Sequence, residues 1–325
     1  MRDVDPGPAA GGPPSGFRHS LHPYAGDSEF LNGTMSFIEG ALAERETVLV
    51  AVDERKSRLL RAELTGPAAA SVSFLDSDAL DGNPARLIPA WRERITAAAR
   101  GGRPVRAVGE SRWTGRTAAQ STELRHHERL LNLAFARSSP AWWLLCPYDT
   151  GSVDPEALVS ARRCHPLLIT AGQHGPNGAF VDGPYQADRL TGPPAAHEIL
   201  SFGPGDLGSV RTLVAGLARR HGLDAARTLD LTLAAGEVAT NSLQHGGGSG
   251  TVRTWAEDGT LVCDFHDSGH LTDPLAGRVR PAHARPGGRG LWLVQQVCDT
   301  VQISSTPWDG TTVRLHMAVA GTGSC

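Results

Sequence analysis

Cysteine is scarce along this chain of 325 residues. The sequence has five: Cys146, Cys164, Cys263, Cys298 and Cys325. The number is odd, the positions are scattered, and no two form a Cys-x-x-Cys pair. This distribution argues against a disulfide framework and against a zinc site, and it suits a reducing cytoplasm.

Long apolar runs and strong charge are also missing. No apolar run is long enough to span a bilayer, and the net charge is only −3. A general attraction to nucleic acid or to anionic membranes is therefore not expected. Residues 1–16 are rich in Pro, Gly and Ala without an apolar core, which predicts a disordered tail and not a signal peptide. We expect a cytoplasmic protein with no nucleic-acid or membrane partner.

The first half of the chain alternates between strand and helix patterns. Strands are predicted at 47–52, 72–75, 104–109 and 142–146. Helices are predicted at 27–44 (with Asp27 as N-cap), 56–63, 84–99, 121–136 and 154–164. Such alternation predicts an α/β domain over 17–170, with a mainly parallel sheet and helices on both faces.

The second half has a different order of elements. Residues 172–194 are rich in Gly, Pro and Asn without periodicity, which predicts a connection over 171–196. A second domain over 197–319 follows, with helices at 206–220, 224–245 and 290–298. Four strands are predicted, at 251–256, 261–266, 301–305 and 311–317. Turns at Asp258-Gly259 and Asp309-Gly310 connect them in pairs. Helices grouped with a strand meander predict an α+β sandwich.

The segment Glu237-Val-Ala-Thr-Asn-Ser-Leu-Gln-His245 carries unusual polar spacing. Glu237, Asn241 and His245 are four residues apart, so a helix stacks them on one face. An asparagine oxygen is a suitable Mg²⁺ ligand. Glu237 could orient or deprotonate a nucleophile, and His245 could meet a phosphate. For these three residues alone, a solvated helix face is an equally good explanation.

Two further motifs lie downstream. Asp267-Ser268-Gly269 follows an apolar strand, where a carboxylate can accept from an exocyclic amine and Gly269 lets a ring approach the backbone. An ordinary turn is the commoner explanation of that triplet. Gly287-Gly288-Arg289-Gly290 precedes an apolar helix, whose free N–H groups can hold an anion. No Gly-Lys-Ser/Thr follows, so this is not a Walker A loop.

The order of these motifs resembles the GHKL (Bergerat) ATP-binding fold over residues 197–317. The resemblance implies that Asn241 binds Mg²⁺, that Glu237 is the catalytic base, and that Asp267 with Gly269 reads adenine. It also implies that Gly288, Arg289 and Gly290 bind the phosphates. Thr311 would contact adenine through a water molecule. Residues 271–286, with Arg278, Arg280 and Arg285, would form the lid. Leu271 departs from the pattern, which has glycine there.

Within this fold, Glu-Val-Ala-Thr-Asn-Ser-x-x-His looks most like the serine-kinase anti-sigma factors. The resemblance implies Mg-ATP-dependent phosphorylation of a serine in an anti-anti-sigma (STAS) protein, and sequestration of a sigma factor. A nucleotide-binding regulator with little turnover is the alternative. A sensor histidine kinase is less favoured, because the place of its phospho-acceptor helix is taken by the Gly/Pro connection.

The first half resembles the MEDS sensory domain in His19, Gly26-Asp27, Glu128-x-x-x-Asn132, Cys146-Pro-Tyr-Asp149 and His165-Pro166. The resemblance implies a RecA-like fold and an unknown small-molecule signal. No P-loop lysine is present, so nucleotide binding is not expected there. Candidate pocket residues are His19, His22, Glu128, Tyr148, Asp149 and His165, with packing of a small core at least as good an explanation for each. Cys146 and Cys164 are expected to be buried structural cysteines. The sequence leaves open whether the chain forms a homodimer.

Overall fold

The computed structural model describes residues 16–75, 82–138, 140–170, 172–183, 188–195, 197–281 and 288–319. The first part of the chain forms a seven-stranded sheet with six helices around it. Its elements are β1 (Phe17–Tyr24), α1 (Gly26–Ala43), β2 (Thr47–Ala51), α2 (Glu54–Glu63), α3 (Pro67–Ser71), β3 (Val72–Phe74), α4 (Leu87–Ala98), β4 (Val105–Gly109), α5 (Ala118–Phe135), β5 (Trp142–Asp149), α6 (Pro155–Cys164), β6 (Leu167–Thr170) and β7 (Gln173–Pro176).

The strand order is β3-β2-β4-β5-β1-β6-β7, and every pairing except that of β6 with β7 is parallel. Alternate residues of one strand enter two separate cores. Val48 and Val50 of β2 pack with α1 and α2, whereas Leu49 and Ala51 pack with α4, α5 and α6. The prediction of a mainly parallel sheet with helices on both faces is confirmed.

Several helix starts follow the local sequence. Asp53 and Asp154 accept from the first-turn N–H groups of α2 and α6, and Thr117 forms a capping box with Gln120 at α5. The prediction of Asp27 as N-cap of α1 is wrong. The cap is Ala25, whose N–H donates to the Glu29 carboxylate, so the helix begins before Asp27.

The strands β1, β6 and β7 were not predicted. β1 lies between β5 and β6, and its buried positions include His19, Ser20 and His22, which break the apolar alternation. β7 lies within residues 171–196, for which the composition predicts a connection without regular structure, and the prediction is wrong at this strand. Residues Gln173–Pro176 pair with β6 at the sheet edge, where mostly exposed side chains give no pattern.

The second part of the chain forms an antiparallel sheet covered by helices. Its elements are β8 (Glu198–Phe202), α7 (Leu207–Arg220), α8 (Ala225–His245), β9 (Gly250–Glu257), β10 (Thr260–Asp267), α9 (Arg289–Val297), β11 (Thr300–Thr306) and β12 (Gly310–Ala318). The strand order is β11-β12-β10-β9-β8, and side chains of all three helices share one core with the strands. The predicted α+β sandwich is confirmed, with the β9–β10 turn at Asp258-Gly259. In the described part of the chain, no helix combines the length and hydropathy needed to cross a bilayer.

Candidate nucleotide-binding site

A cavity of about 570 Å³ lies between α8, the end of β10, residues 269–281, the start of α9 and β12. Seven of the predicted site residues line it: Asn241, His245, Asp267, Gly269, Gly288, Gly290 and Thr311. These residues come from four separate segments of the chain. The fold therefore brings the three motifs singled out from the sequence to one place.

The polar stripe of α8 faces the first turn of α9. A Cβ built on Gly290 would lie 2.8 Å from Glu237 Oε2 and 3.4 Å from Asn241 Nδ2. Glu237 and Asn241 are half-buried, while His245 at the helix end is exposed. Glycine at position 290 lets the first turn of α9 lie close to the Glu237 and Asn241 side chains, and a Cβ there would require the Glu237 carboxylate to move.

The Asp267 carboxylate is held in a fixed orientation at the end of β10. Its Oδ2 accepts from Ser242 Oγ at 2.6 Å, and its Oδ1 accepts from the Gly269 N–H at 2.9 Å. A Cβ at Gly246 would lie 2.3 Å from Asp267 Cγ, so the α8 backbone packs directly against the carboxylate. Each carboxylate oxygen keeps a further lone pair that can accept from a ligand amine.

Thr311 connects the residues that follow Asp267 to β11 and β12 through a chain of hydrogen bonds. Its Oγ1 donates to the Gly269 carbonyl at 2.9 Å and lies 2.7 Å from Ser305 Oγ. Ser305 Oγ in turn accepts from the Leu271 N–H at 2.8 Å. Gly310, with φ +74°, is required beside it, since a Cβ there would lie 2.1 Å from the Asp267 carbonyl oxygen. Leu271 has no left-handed backbone, so its side chain is compatible with the local chain path.

The start of α9 faces the cavity, with Gly288 and Gly290 in its lining. Gly288, with φ +78°, is the N-cap, and as a glycine it has no side chain to cap the first-turn N–H groups. Such a helix start, with its positive dipole end, is suited to an anion such as a phosphate. Arg289 is the first helical residue and is exposed. The predicted lid arginine Arg285 and the motif residue Gly287 lie outside the described residues.

The described part of the lid contacts the N-terminal domain. Arg278 is buried, and its guanidinium forms an ion pair with the Glu123 carboxylate of α5. Burial alone would raise the pKa of Glu123, but Arg278 and His126 together hold it below its ordinary value. The lid side chains Leu275 and Val279 pack against the core of the N-terminal domain.

The other end of α9 is also held by the N-terminal domain. Asn83 Nδ2 donates to the Gln295 carbonyl at 3.0 Å. Arg86 donates to the carbonyls of Gln295 at 3.0 Å and Cys298 at 3.1 Å. These donors satisfy carbonyls that a helix C-terminus leaves unpaired. The sequence analysis did not identify Asn83, Arg86 or Glu123 as functional residues. Residues that contact each other across two domains lie far apart in the sequence, so no regular spacing indicates them.

The N-terminal candidate residues separate into two groups. His22 Nε2 lies 3.2 Å from the Glu29 carbonyl, and Asp149 Oδ1 accepts from the Gly151 N–H at 3.0 Å. These are local structural contacts. The remaining four are buried near one another: His19, Glu128, Tyr148 and His165. Cys146 and Cys164 are buried, as expected.

The residues around the cavity fit Mg-ATP. The volume lies in the range of small-molecule sites. Asn241 supplies an oxygen of the kind Mg²⁺ prefers, beside the α9 amides that suit phosphates. Asp267 is a fixed acceptor for an amine at the other side of the cavity. Gly246 and Gly269 allow the chain to pack closely around Asp267, since a Cβ at these positions would lie 2.6 Å from the Ser242 carbonyl oxygen and 2.5 Å from the His245 carbonyl oxygen.

Comparisons with known proteins agree with both halves of this description. The family model described as "MEDS: MEthanogen/methylotroph, DcmR Sensory domain" matches residues 18–166. The model described as "Histidine kinase-like ATPase domain" matches residues 200–317. No curated protein matches the chain.

Among solved structures, the chain is similar to one described as the RsbU and RsbW domains of Rv1364c from Mycobacterium tuberculosis. The identity is 17% and the TM-score 0.30, and the match covers 39% of this chain and 33% of that one. The chain thus spans about a third of that neighbour's length. From the two family models, this protein carries an N-terminal MEDS domain and a C-terminal histidine kinase-like ATPase domain.

Proposed function

We propose that this protein is a Mg-ATP-dependent regulator of the anti-sigma type, which phosphorylates a serine of a STAS partner under control of its MEDS domain. The observation that supports the proposal most directly is the convergence at one cavity of Asn241, Asp267 and the start of α9, with Glu237 against Gly290. The proposed site residues are those predicted from the sequence.

Each side chain has a distinct task in this proposal. When bound, Mg-ATP supplies the γ-phosphoryl group, with its phosphate charge already partly neutralised by the metal. Asn241 would hold the ion, Asp267 would accept from the adenine amine, and the amides at Gly288 and Gly290 would hold phosphate oxygens. Glu237 would accept the hydroxyl proton as the serine oxygen bonds to the γ-phosphorus and the bond to the β-phosphate oxygen breaks.

Control by the MEDS domain follows from where that domain touches the ATPase domain. It binds the lid through Glu123 and Arg278, and it binds the C-terminal end of α9 through Asn83 and Arg86. The N-terminal end of the same helix is the proposed phosphate site. Glu123 lies on α5, whereas Asn83 and Arg86 lie at the turn Pro84–Arg86, which packs against α5. A joint movement of α5 and this turn would therefore change both the lid and the orientation of the phosphate-binding amides.

The test is a phosphotransfer assay with the full chain, labelled ATP and purified STAS proteins. Glu237→Gln should bind Mg-ATP as the wild type does and lose at least about 100-fold in transfer rate, the usual contribution of a general base. Glu257→Gln, an exposed carboxylate at the end of β9, is the matched control and should transfer normally. Equal transfer by Glu237→Gln and the wild type would refute the role of Glu237.

A second candidate is a regulator that binds nucleotide only to shape a partner-binding surface. It is favoured by the burial of Arg278 against Glu123, which turns one lid arginine away from the cavity. Nucleotide-dependent binding of a sigma factor or STAS protein, with no phosphoserine formed, would support this candidate. An acid-labile label on the chain itself would instead indicate a histidine kinase.

A further inference from the structure

Four metal-binding side chains converge inside the MEDS domain, on the side of the sheet that carries α5. They are His19 of β1, Glu128 of α5, Cys146 of β5 and His165 directly after α6. One donor atom from each lies within 4.8 Å of all the others, and all four residues are buried. His19 Nε2 lies 3.3 Å from Cys146 Sγ and 3.6 Å from Glu128 Oε2. His165 Nε2 lies 3.5 Å from Glu128 Oε2.

The outward nitrogens of both imidazoles are paired with oxygen acceptors. His165 Nδ1 lies 2.7 Å from the Ala161 carbonyl, and His19 Nδ1 lies 3.1 Å from Asn132 Oδ1. The Asn132 amide is oriented because its Nδ2 donates to the Cys164 carbonyl at 2.6 Å. Both Nδ1 atoms therefore carry the proton, and both Nε2 lone pairs point at the cluster. Metal-binding histidines are usually held by an oxygen acceptor in this way.

The centre of the cluster contains buried polar atoms without hydrogen-bond partners. Glu128 Oε2 and His165 Nε2 are both in this state, although Glu128 is only 4% exposed and His165 is fully buried. A buried acceptor without a donor is destabilising, and a buried carboxylate without one is more so. The Cys146 thiol can donate to His19 Nε2, 3.3 Å away, whereas the His165 Nε2 lone pair faces the Glu128 carboxylate with neither a donor nor a positive charge between them.

We propose that His19, Glu128, Cys146 and His165 bind a divalent transition-metal ion, with zinc as the expected metal, in a closed tetrahedral site. Bond lengths of about 2.0–2.1 Å to nitrogen and about 2.3 Å to sulfur place tetrahedral donors roughly 3.3–3.6 Å apart. The three distances above lie in this range. Binding releases the Cys146 thiol proton to solvent, and the thiolate and carboxylate then neutralise the two charges of the ion. The resulting site is neutral, as a buried environment requires.

The site would connect four elements, and one of them also holds the ATP lid. Glu128 lies on α5 between Asn132, which orients His19, and Glu123, which pairs with Arg278. With four protein ligands the site has no open position, so its role is structural or sensory and not catalytic. Bound metal would fix α5 and so stabilise the contact with the lid. The inference rests on the MEDS domain alone, and is independent of the proposed kinase activity.

The first measurement is metal content of the full-length wild type, expressed with zinc, purified under reducing conditions and desalted. We expect about one zinc per chain by mass spectrometry, as a single closed site requires. Treatment with a strong chelator should remove the metal and lower the melting temperature, and added zinc should restore it. Less than about a tenth of a zinc per chain, with no metal taken up on titration, would overturn the proposal.

Replacing zinc by cobalt shows, through the absorption spectrum, which side-chain atoms bind the metal. The cobalt-substituted wild type should show intense tetrahedral d–d bands and a thiolate-to-cobalt charge-transfer band. Cys146→Ser should lose the charge-transfer band, whereas Cys263→Ser, a buried thiol of the ATPase domain, should keep it. A charge-transfer band retained in Cys146→Ser would overturn the proposed ligand set. If Cys146→Ser does not fold, the wild-type metal content and cobalt spectrum still decide the outcome.

Discussion

Arg278→Ala is the change that should most clearly release the ATP lid from the MEDS domain. The side chains of Arg278 and Glu123 are 4% and 0% exposed, so their ion pair is excluded from water. His126 Nδ1 also lies near the carboxylate, 3.4 Å from Glu123 Oε1. Removing the guanidinium leaves the Glu123 carboxylate buried without its main partner.

Breaking a buried ion pair from one side costs about 3–5 kcal/mol. In the variant, the lid can separate from α5, and water then reaches the Glu123 carboxylate. Separation therefore avoids most of the cost of the broken ion pair. At about 1.4 kcal/mol per factor of ten, a cost of 3 kcal/mol raises the undocked fraction of the lid roughly 100-fold. The double variant Glu123→Leu/Arg278→Met replaces the pair by apolar groups and should restore docking, because such replacements are often neutral.

Amide hydrogen exchange across residues 271–281 measures the undocked fraction directly. We expect much faster exchange in Arg278→Ala, near wild-type exchange in the double variant, and no change in Arg280→Ala, an exposed arginine of the same segment. Acid should act like Arg278→Ala. The pKa of Glu123 is held low, so its contribution is complete at neutral pH and is lost as pH falls through that lowered value. Unchanged lid exchange in Arg278→Ala would refute the proposed contact.

Three further predictions concern the ATPase domain. Gly310→Ala should lower the free energy of unfolding by roughly 2–4 kcal/mol in a denaturant titration, because its Cβ would lie 2.1 Å from the Asp267 carbonyl oxygen. The control is Gly248→Ala, where φ is +85° and the space around the residue is open. This variant should lose only the smaller part of the stability that comes from backbone strain. Ser242→Ala should weaken Mg-ATP binding about tenfold by calorimetry, since Asp267 loses the 2.6 Å donor that orients it; unchanged affinity would contradict this. Burial, followed by the charge of Arg314, lowers the pKa of His316 from 6.5 to about 4. Between pH 6.5 and pH 4 the unfolded chain therefore binds a proton at His316 that the folded chain does not bind. Up to about 3 kcal/mol of stability is lost as the pH falls through this range. His316→Gln should lose less stability over the same range when unfolding is measured at several pH values.

The sequence by itself determined the local parts of the candidate ATP site. Glu237 and Asn241 share a face of α8 because helix geometry places residues four apart in line. Asp267 ends β10 and Gly288 is the N-cap of α9, as apolar runs bounded by turn residues predict. Such features depend on neighbours within a few residues, so their spacing is visible in the chain. The resemblance to a known family then supplied the order that joins them.

Only the tertiary structure decided how the two domains meet and which donor side chains come together in the MEDS core. Glu123 and Arg278 are 155 residues apart in sequence, and neither lies in a motif that indicates the other. The scattered cysteines argued against a zinc site, yet the parallel order β5-β1-β6 brings Cys146 beside His19 and His165. Metal-ligand spacing in a sequence is informative only when the ligands lie on one local element. Here the donors come from β1, α5, β5 and the residue directly after α6, so the pairing of the strands creates the proposed site.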